Sequence, residues 1–325
     1  MKFILRLSIH AAAVAALIAT GSAFAQGYPN KALRLIVPFA AGGTGDVLGR
    51  LIGPKLSEAL GQPVVIDFRP GAGTTLATDI AAKSPPDGYT ILLSASTTMS
   101  INATLYSKLP YDTLKNLAPV TMVASIPNIL VANPSLQANT LQELITLAKS
   151  KPGKLNFATP GSGTTPHLTA ELFKTMAGID LVHIPYKGAG PAITDLLGGH
   201  VAMLFDNIPS VQSQVAAGKL KVIGVTSAKR SAAMPEAPTF AESGLPGFET
   251  NSWWAILAPA ATPKDIVARL NTEMVKVLQS AYIRERFAAA GAEPAPSTPE
   301  EAAAHIKGEV AKWAAIVKTS GARVD

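Results

Sequence analysis

Two short stretches hold the residues that could bind a small anion. Leu35 to Asp46 reads LIVPFAAGGTGD, and Thr159 to His167 reads TPGSGTTPH. In the first, an apolar run stops at Pro38 and Phe39, a glycine turn follows, and Asp46 opens a helix carried by Val47, Leu48, Leu51, Ile52 and Leu56, with Gly53 and Pro54 weakening its middle. Gly42, Gly43 and Gly45 lack a Cβ and accept positive φ, so a ligand can come close to the main chain. The first-turn N–H groups of such a helix have no internal partner and sit at the positive end of its dipole. A carboxylate or a phosphate is the natural guest. A strand, a glycine turn and a helix also make an ordinary packing unit; the recurrence of the pattern is what favours a binding site.

The other chemistry-bearing residues are fewer. Asp46 can accept from a ligand hydroxyl or amine, or serve only as a first-turn acid. His167, in the first turn of the second helix, reads chiefly as a neutral support for the loop. Asp206 leaves the apolar run Val201 to Phe205 at the edge where the loops lie, and has the stronger claim to a ligand. Trp253 and Trp254 alternate along a strand, so at most one faces a cleft. An exported hydrolase would need Ser162 as nucleophile and His167 as base, but these are five residues apart across a helix start and lack an evident orienting acid. No nucleophile elbow, phosphate loop, dinucleotide-binding glycine pattern or zinc-protease motif occurs. No catalytic residue, cofactor or metal site is assigned.

Strands and helices alternate around these residues. Pro63 to Phe68 and Tyr89 to Leu93 read as strands flanking a helix from Thr74 to Lys83, and the second strand ends in the hydroxyl-rich loop Ser94 to Thr98. That order predicts a mostly parallel sheet with right-handed crossovers, whose ligands sit beyond the carboxyl ends of the strands. The pattern then returns: strand Lys154 to Ala158, glycine loop, helix His167 to Ala177, strand Asp180 to Ile184, helix Pro191 to Leu197. Gly42 and Gly161 are 119 positions apart, Gly61 and Gly178 117, and the Gly-Ala-Gly turns at Gly71 and Gly188 also 117. Such a pseudo-repeat predicts two similar lobes whose glycine loops face each other as a pincer. Leu117 to Val131, interrupted by Pro127, reads as the crossing into the second lobe, and Ser252 to Ala258 as the return. The expected division is an export signal over 1–25, the first part of lobe one over 26–123, lobe two over 124–226, and over 227–325 a return to lobe one with three C-terminal helices.

Lys2, Arg6, the apolar segment Ile9 to Ile18 and the small-residue pattern Ala23-Phe24-Ala25 make the export signal, with cleavage near Ala25. Losing Lys2 and Arg6 lowers the formal charge from +6 to +4, mild for this length, and the basic residues form no stripe that would suit nucleic acid. No later run approaches the roughly 18 apolar residues of a membrane span. Cysteine is absent, so stability must come from a packed core, and no lipidation site follows the signal. A freely diffusing periplasmic protein is expected.

The combination YPNKALRLIVPFAAGGTGD, RPGAGT at 69–74, PPDGYTILL at 85–93, TPGSGTTPHL at 159–168, HIPYKGAGPAITDLLGGHV at 183–201 and SWWAILAPAATP at 252–263 resembles the periplasmic solute-binding receptors of tripartite tricarboxylate transporters, the Bug-type receptors. The resemblance covers nearly the whole chain after the signal. It implies a type II periplasmic binding fold, two α/β lobes closing on a ligand in the cleft between them. It further implies a ligand carboxylate held by the two loops, partly through ordered waters and without a dedicated arginine. Phe39, Ala41, Gly42, Gly43 and Asp46 would lie on one jaw, Gly161, Ser162, Gly163, Thr164 and His167 on the other, and Ser94, Ser96 and Asp206 on the cleft floor. The implied protein is a monomeric receptor that takes a mono- or dicarboxylate, an amino acid or an aromatic acid and presents it to a membrane permease, or signals its presence to a sensor kinase. Neither an enzyme nor a nucleic-acid partner is implied.

Overall fold

Apolar runs bounded by glycine and proline become strands, and the amphipathic segments between them become helices. The computed structural model describes residues 27–106 and 108–320, so the expected export signal and the expected cleavage near Ala25 lie outside the described residues. In chain order the elements are β1 (Leu33–Val37), α1 (Thr44–Leu60), β2 (Val64–Phe68), α2 (Thr75–Ala82), β3 (Thr90–Ala95), α3 (Asn102–Leu105), β4 (Leu117–Ala132), α4 (Leu141–Ser150), β5 (Asn156–Thr159) and α5 (Thr165–Ala177). They continue with β6 (Val182–Pro185), α6 (Ala189–Leu197), β7 (Met203–Asn207), α7 (Ile208–Ala216), β8 (Lys221–Val225), β9 (Asn251–Pro259), α8 (Lys264–Gln279), α9 (Ala281–Ala289), β10 (Glu293–Pro294) and α10 (Pro299–Ser320).

The sheet runs β2-β1-β3-β9-β4-β7-β5-β6, with β8 and β10 also pairing β4. Its two ends are parallel, β1 with β2 and β3, and β5 with β6 and β7. They are joined by the antiparallel strands β9 and β4. Each end builds its own core. One gathers Leu35, Leu48, Ile52, Trp254 and Leu270; the other is an aromatic cluster of Phe157, Phe173, Phe205, Phe240 and Phe248. Full burial of each such side chain stabilises the fold by about 1.5–3 kcal/mol.

Three expectations need correction. The sheet is mixed, not mostly parallel, because β4 and β9 run antiparallel to the strands they pair. Pro127 does not interrupt the crossing strand, because it sits where β4 changes partner: Pro127 pairs Asn251 of β9, and Asn128 pairs Asn207 of β7. A residue without an N–H is tolerated at such a switch. Gly53 and Pro54, expected to weaken the middle of α1, do not interrupt it: the helix runs unbroken over 17 residues. Pro54 is solvent-exposed, so the carbonyl it leaves free can be hydrated. Gly45, Gly49 and Gly53 form a smooth stripe along the inner face of the helix. A Cβ on Gly45 would stand 3.0 Å from Val37 and 3.2 Å from Trp254, and one on Gly53 would stand 3.3 Å from Ile66. The stripe lets α1 lie directly on the sheet.

The pseudo-repeat is visible in the backbone. Gly61 and Gly178 close α1 and α5 in the left-handed region, at φ 67° and 62°, and Gly71 and Gly188 turn at φ 132° and 126°. At the start of the helices, however, Gly42 (φ 86°) corresponds to Gly163 (φ 76°), not to Gly161, a spacing of 121. The change from 121 to 117 along the helix is four residues, one turn by which α1 is longer than α5.

Candidate functional site

The first loop turns at Gly42, the one glycine of its three with positive φ; Gly43 is extended and Gly45 packs under the helix. The Gly42 N–H donates to Asp46 Oδ2 at 2.8 Å, while Asp46 Oδ1 pairs with the exposed Arg50. Asp46 therefore braces the loop from behind. At the helix start the Thr44 N–H donates to Ser210 Oγ at 3.1 Å, and the two hydroxyls meet at 2.9 Å.

In the second loop the Gly163 N–H donates to His167 Nδ1 at 3.1 Å, which leaves the ring proton on Nε2. Thr164 caps α5: its Oγ1 accepts from the His167 N–H at 3.3 Å and donates to the Gly161 carbonyl at 2.8 Å. The His167 ring stacks on His183 at 4.1 Å, and His183 Nε2 meets Thr159 Oγ1 at 2.7 Å. Burial holds both imidazoles below their ordinary titration range, His183 down to about 3 with help from His167 and Lys174. Both rings are neutral at pH 7. No hydrogen bond joins Ser162 to His167 among the described residues, and the nitrogen facing the loop is already an acceptor for Gly163. The nucleophile–base pair that a hydrolase would need is not assembled.

Hydroxyls fasten the two sides of the cleft. Besides Thr44 with Ser210, Ser96 Oγ meets Thr165 Oγ1 at 2.7 Å, and the Thr165 N–H donates to Thr97 Oγ1 at 3.1 Å. Between these contacts lies an inner chamber of about 30 Å³, bounded by Phe39, Gly43, Thr44, Asp206, Ser252 and Trp254 among others. That is room for about two waters or one small polar head group. An outer chamber of about 250 Å³ opens beyond it, lined by Phe39, the turns at Gly71 and Gly188, Gly161, Ser162, Thr164, Tyr186 and Lys187. Phe39, Pro160 and Thr164 border both.

Of the residues expected at the site, Phe39, Gly43, Thr164 and Asp206 line the inner chamber, and Gly161 and Ser162 the outer one. Ala41 and Gly42 sit on the exposed rim against Gly190. Asp46 and His167 stand behind their loops, and Gly163 is packed against Leu105. Ser96 belongs to the fastening. Ser94 lines neither chamber: Ala95 faces the inner one, and successive strand residues point to opposite faces. Trp254 lines the inner chamber while Trp253 donates to Glu309 on the opposite face, as the strand alternation requires. The reading by motif missed Thr44, Thr97, Asn207, Ser210, Ser252 and Lys187. The signal for Thr44 and Thr97 was their place soon after a strand end; Ser210 and Ser252 carried none.

Asp206 is the penultimate residue of β7, where it pairs with Ile129 of β4, and is only 2% exposed. Its Oδ1 accepts the Asn207 N–H at 2.7 Å. Burial pushes the carboxyl up to about 7 against the opposing pull of Asn207 and Ser210. Next to it, Asn207 Nδ2 donates to Asn128 Oδ1 at 2.7 Å and to Ser252 Oγ at 2.8 Å, and Asn128 Nδ2 donates to Thr169 and Thr250. This buried polar network ties the chamber floor to the point where β4 switches partner. Among the described residues, no group of acidic, cysteine or histidine side chains could hold a metal ion.

A family model described as Tripartite tricarboxylate transporter family receptor matches residues 48–322. Protein BugT of Bordetella pertussis is 41% identical over 301 residues, 92% of each chain. Among solved structures, R. palustris Rpa4515 with adipate superposes at a TM-score of 0.89 and 38% identity, covering 91% of this chain and 100% of that one. MatC from Rhodopseudomonas palustris with bound malate superposes at 0.84 and 31% identity, over 89% and 100%. The two-lobe arrangement, the convergent loops and these likenesses agree: the chain belongs to the receptor family of the tripartite tricarboxylate transporters.

Proposed function

We propose that this chain is a monomeric periplasmic receptor that captures a small carboxylate between its lobes and presents the closed form to a membrane permease. The observation that carries the reading is the convergence on one chamber of the N-termini of α1 and α7, with the α5 loop alongside, and with no lysine, arginine or histidine lining that chamber among the described residues. Backbone amides and helix dipoles can hold a carboxylate without a salt bridge. Gly43, Ser162, Thr164 and Asp206 are the proposed contact residues, with Gly42, Asp46, Gly163 and His167 shaping the loops. The adipate and malate seen in the related structures support a carboxylate as ligand. The export signal is removed near Ala25, the lobes divide at about 123 and 226, and the protein has no catalytic role.

A thermal-shift screen of the mature protein tests this, using aliphatic, aromatic and amino carboxylates against their amides and esters. A ligand at a hundred times its Kd adds about 2.7 kcal/mol. Stabilisation by an acid and none by its amide is expected. Gly161→Val should lose that response and melt somewhat lower, because a β-branched side chain at φ 155° would press on the Tyr186 carbonyl, already 3.3 Å from a Cβ. Equal responses to acid and amide, or an unaltered Gly161→Val, would overturn the loop-held carboxylate.

A further inference from the structure

Asp206 is the one ionisable residue lining the inner chamber, and its second oxygen, Oδ2, is buried without a hydrogen-bond partner among the described residues. A buried acceptor left unpaired is costly, and an ionised one far more so. No neighbouring donor stands at hydrogen-bond distance from Oδ2: Asn207 Nδ2 is engaged with Asn128 and Ser252, Ser252 Oγ with Asn128, the Ser210 hydroxyl lies against Thr44 Oγ1, and the Trp254 Nε1–H is itself buried without a partner among the described residues. The protein therefore leaves this oxygen to be completed from the chamber. Around it stand Phe39 and Trp254, whose rings lie 5.4 Å apart, and the helix starts at Thr44 and Ile208.

We infer that the inner chamber selects carboxylates bearing an ammonium on the adjacent carbon, α-amino acids, with Asp206 as counter-charge to the ammonium and the helix N-termini facing the carboxylate. This rests on the carboxylate-receptor reading above. An ammonium brings both the missing donor and the missing positive charge, and aromatic rings form a favourable wall for a cation. A hydroxyl supplies the donor alone. A second carboxylate would crowd Asp206 with like charge, so one of the two would have to take up a proton. The small inner chamber has room for the ammonium against Asp206, with the adjacent carboxylate at its mouth by the helix starts and the side chain in the outer chamber.

The test is calorimetry on the mature protein at pH 7 with matched trios: L-leucine, 2-hydroxy-4-methylpentanoate and 4-methylpentanoate; L-glutamate, 2-hydroxyglutarate and glutarate. In at least one trio the amino acid should bind about tenfold or more tighter than both analogues. Since the free Asp206 carboxyl is held near 7, pairing with an ammonium should release protons, read from buffers of different ionisation enthalpy. Asp206→Asn should abolish that release and bring the preference for the amino acid over its analogues below about threefold. Plain or hydroxy acids binding as tightly as the amino acid, or proton uptake on binding, would overturn the inference while keeping the carboxylate receptor. Silence of all six acids, with the broader screen also silent, would remove both. The wild-type proton release decides the point even where Asp206→Asn fails to fold.

Discussion

The two glycine loops reach one backbone geometry by opposite chemistry. In each, a glycine near φ 80° gives its N–H to the side chain four residues on, which anchors the loop to the first turn of the following helix. In the first that side chain is Asp46, an acid neutralised by the solvent-exposed Arg50. In the second it is His167, buried, uncharged and stacked on His183. What the pseudo-repeat preserves is the bond from glycine to helix, and the residue type is free to follow its surroundings. A negative brace behind an anion site needs a cation beside it, whereas a neutral ring needs burial.

The sharpest way to break the contrast is to truncate both braces. His167→Ala should destabilise by about 2–4 kcal/mol, because it opens a cavity under His183 and orphans the buried Gly163 N–H. Asp46→Ala should cost at most about 1 kcal/mol, since its pair with Arg50 is exposed and water can serve the Gly42 N–H. Urea unfolding of the two variants measures both. Equal losses would mean that the loops are held alike.

Acidification separates the two jaws with a smaller effect. His167 and His183 titrate below their unfolded values, so their contribution is whole above about pH 6.5 and is lost as pH falls towards 3. The second jaw should therefore loosen first, with roughly 1–3 kcal/mol lost between pH 7 and 4. Asp206 works the other way. Its carboxyl titrates above the unfolded value, so its contribution is complete below about 3.8 and is lost as pH rises through about 7. Asp206→Asn should accordingly be more stable than wild type at pH 8 and fall more steeply on acidification. Parallel pH–stability curves for the two proteins would contradict the Asp206 assignment, and a wild type with no loss between pH 7 and 4 would contradict that of the histidines.

Much of this was legible in the sequence, and the limits have physical causes. The two loops, the helix-closing glycines and the crossing strands announced themselves because glycine, proline and apolar runs act locally. The correspondence of Gly42 with Gly163 was hidden because one extra turn of α1 shifts the repeat by four residues, which spacing between glycines alone does not locate. Pro127 misled because its tolerance depends on where β4 exchanges one partner for another. Ser94 was misplaced by the pleat: a serine one position from a chamber-lining residue points away from the chamber. Ser210 and Ser252 were invisible, being ordinary residues made relevant by partners 166 and 124 positions distant.

The rim gives the finest comparison. Lys187 and Pro70 each precede the equivalent glycine turns at Gly188 and Gly71, and both border the outer chamber. Lys187 is exposed and forms no ion pair among the described residues, whereas the cation on the other rim, Arg69, is held by Asp67 at 3.0 Å. Only the second jaw thus offers a free positive charge at the mouth. Exposed charges act over about 10 Å at 0.1 M salt, so Lys187 can draw an anion inward without touching it once bound. Lys187→Ala should slow carboxylate association a few-fold at low ionic strength, leave dissociation alone, and match wild type in about 0.5 M salt. Arg69→Ala should do less, its charge being already balanced. Stopped-flow measurement of both variants decides: a change in dissociation rate for Lys187→Ala would make it a direct ligand contact, and equal slowing by both would erase the asymmetry of the rims.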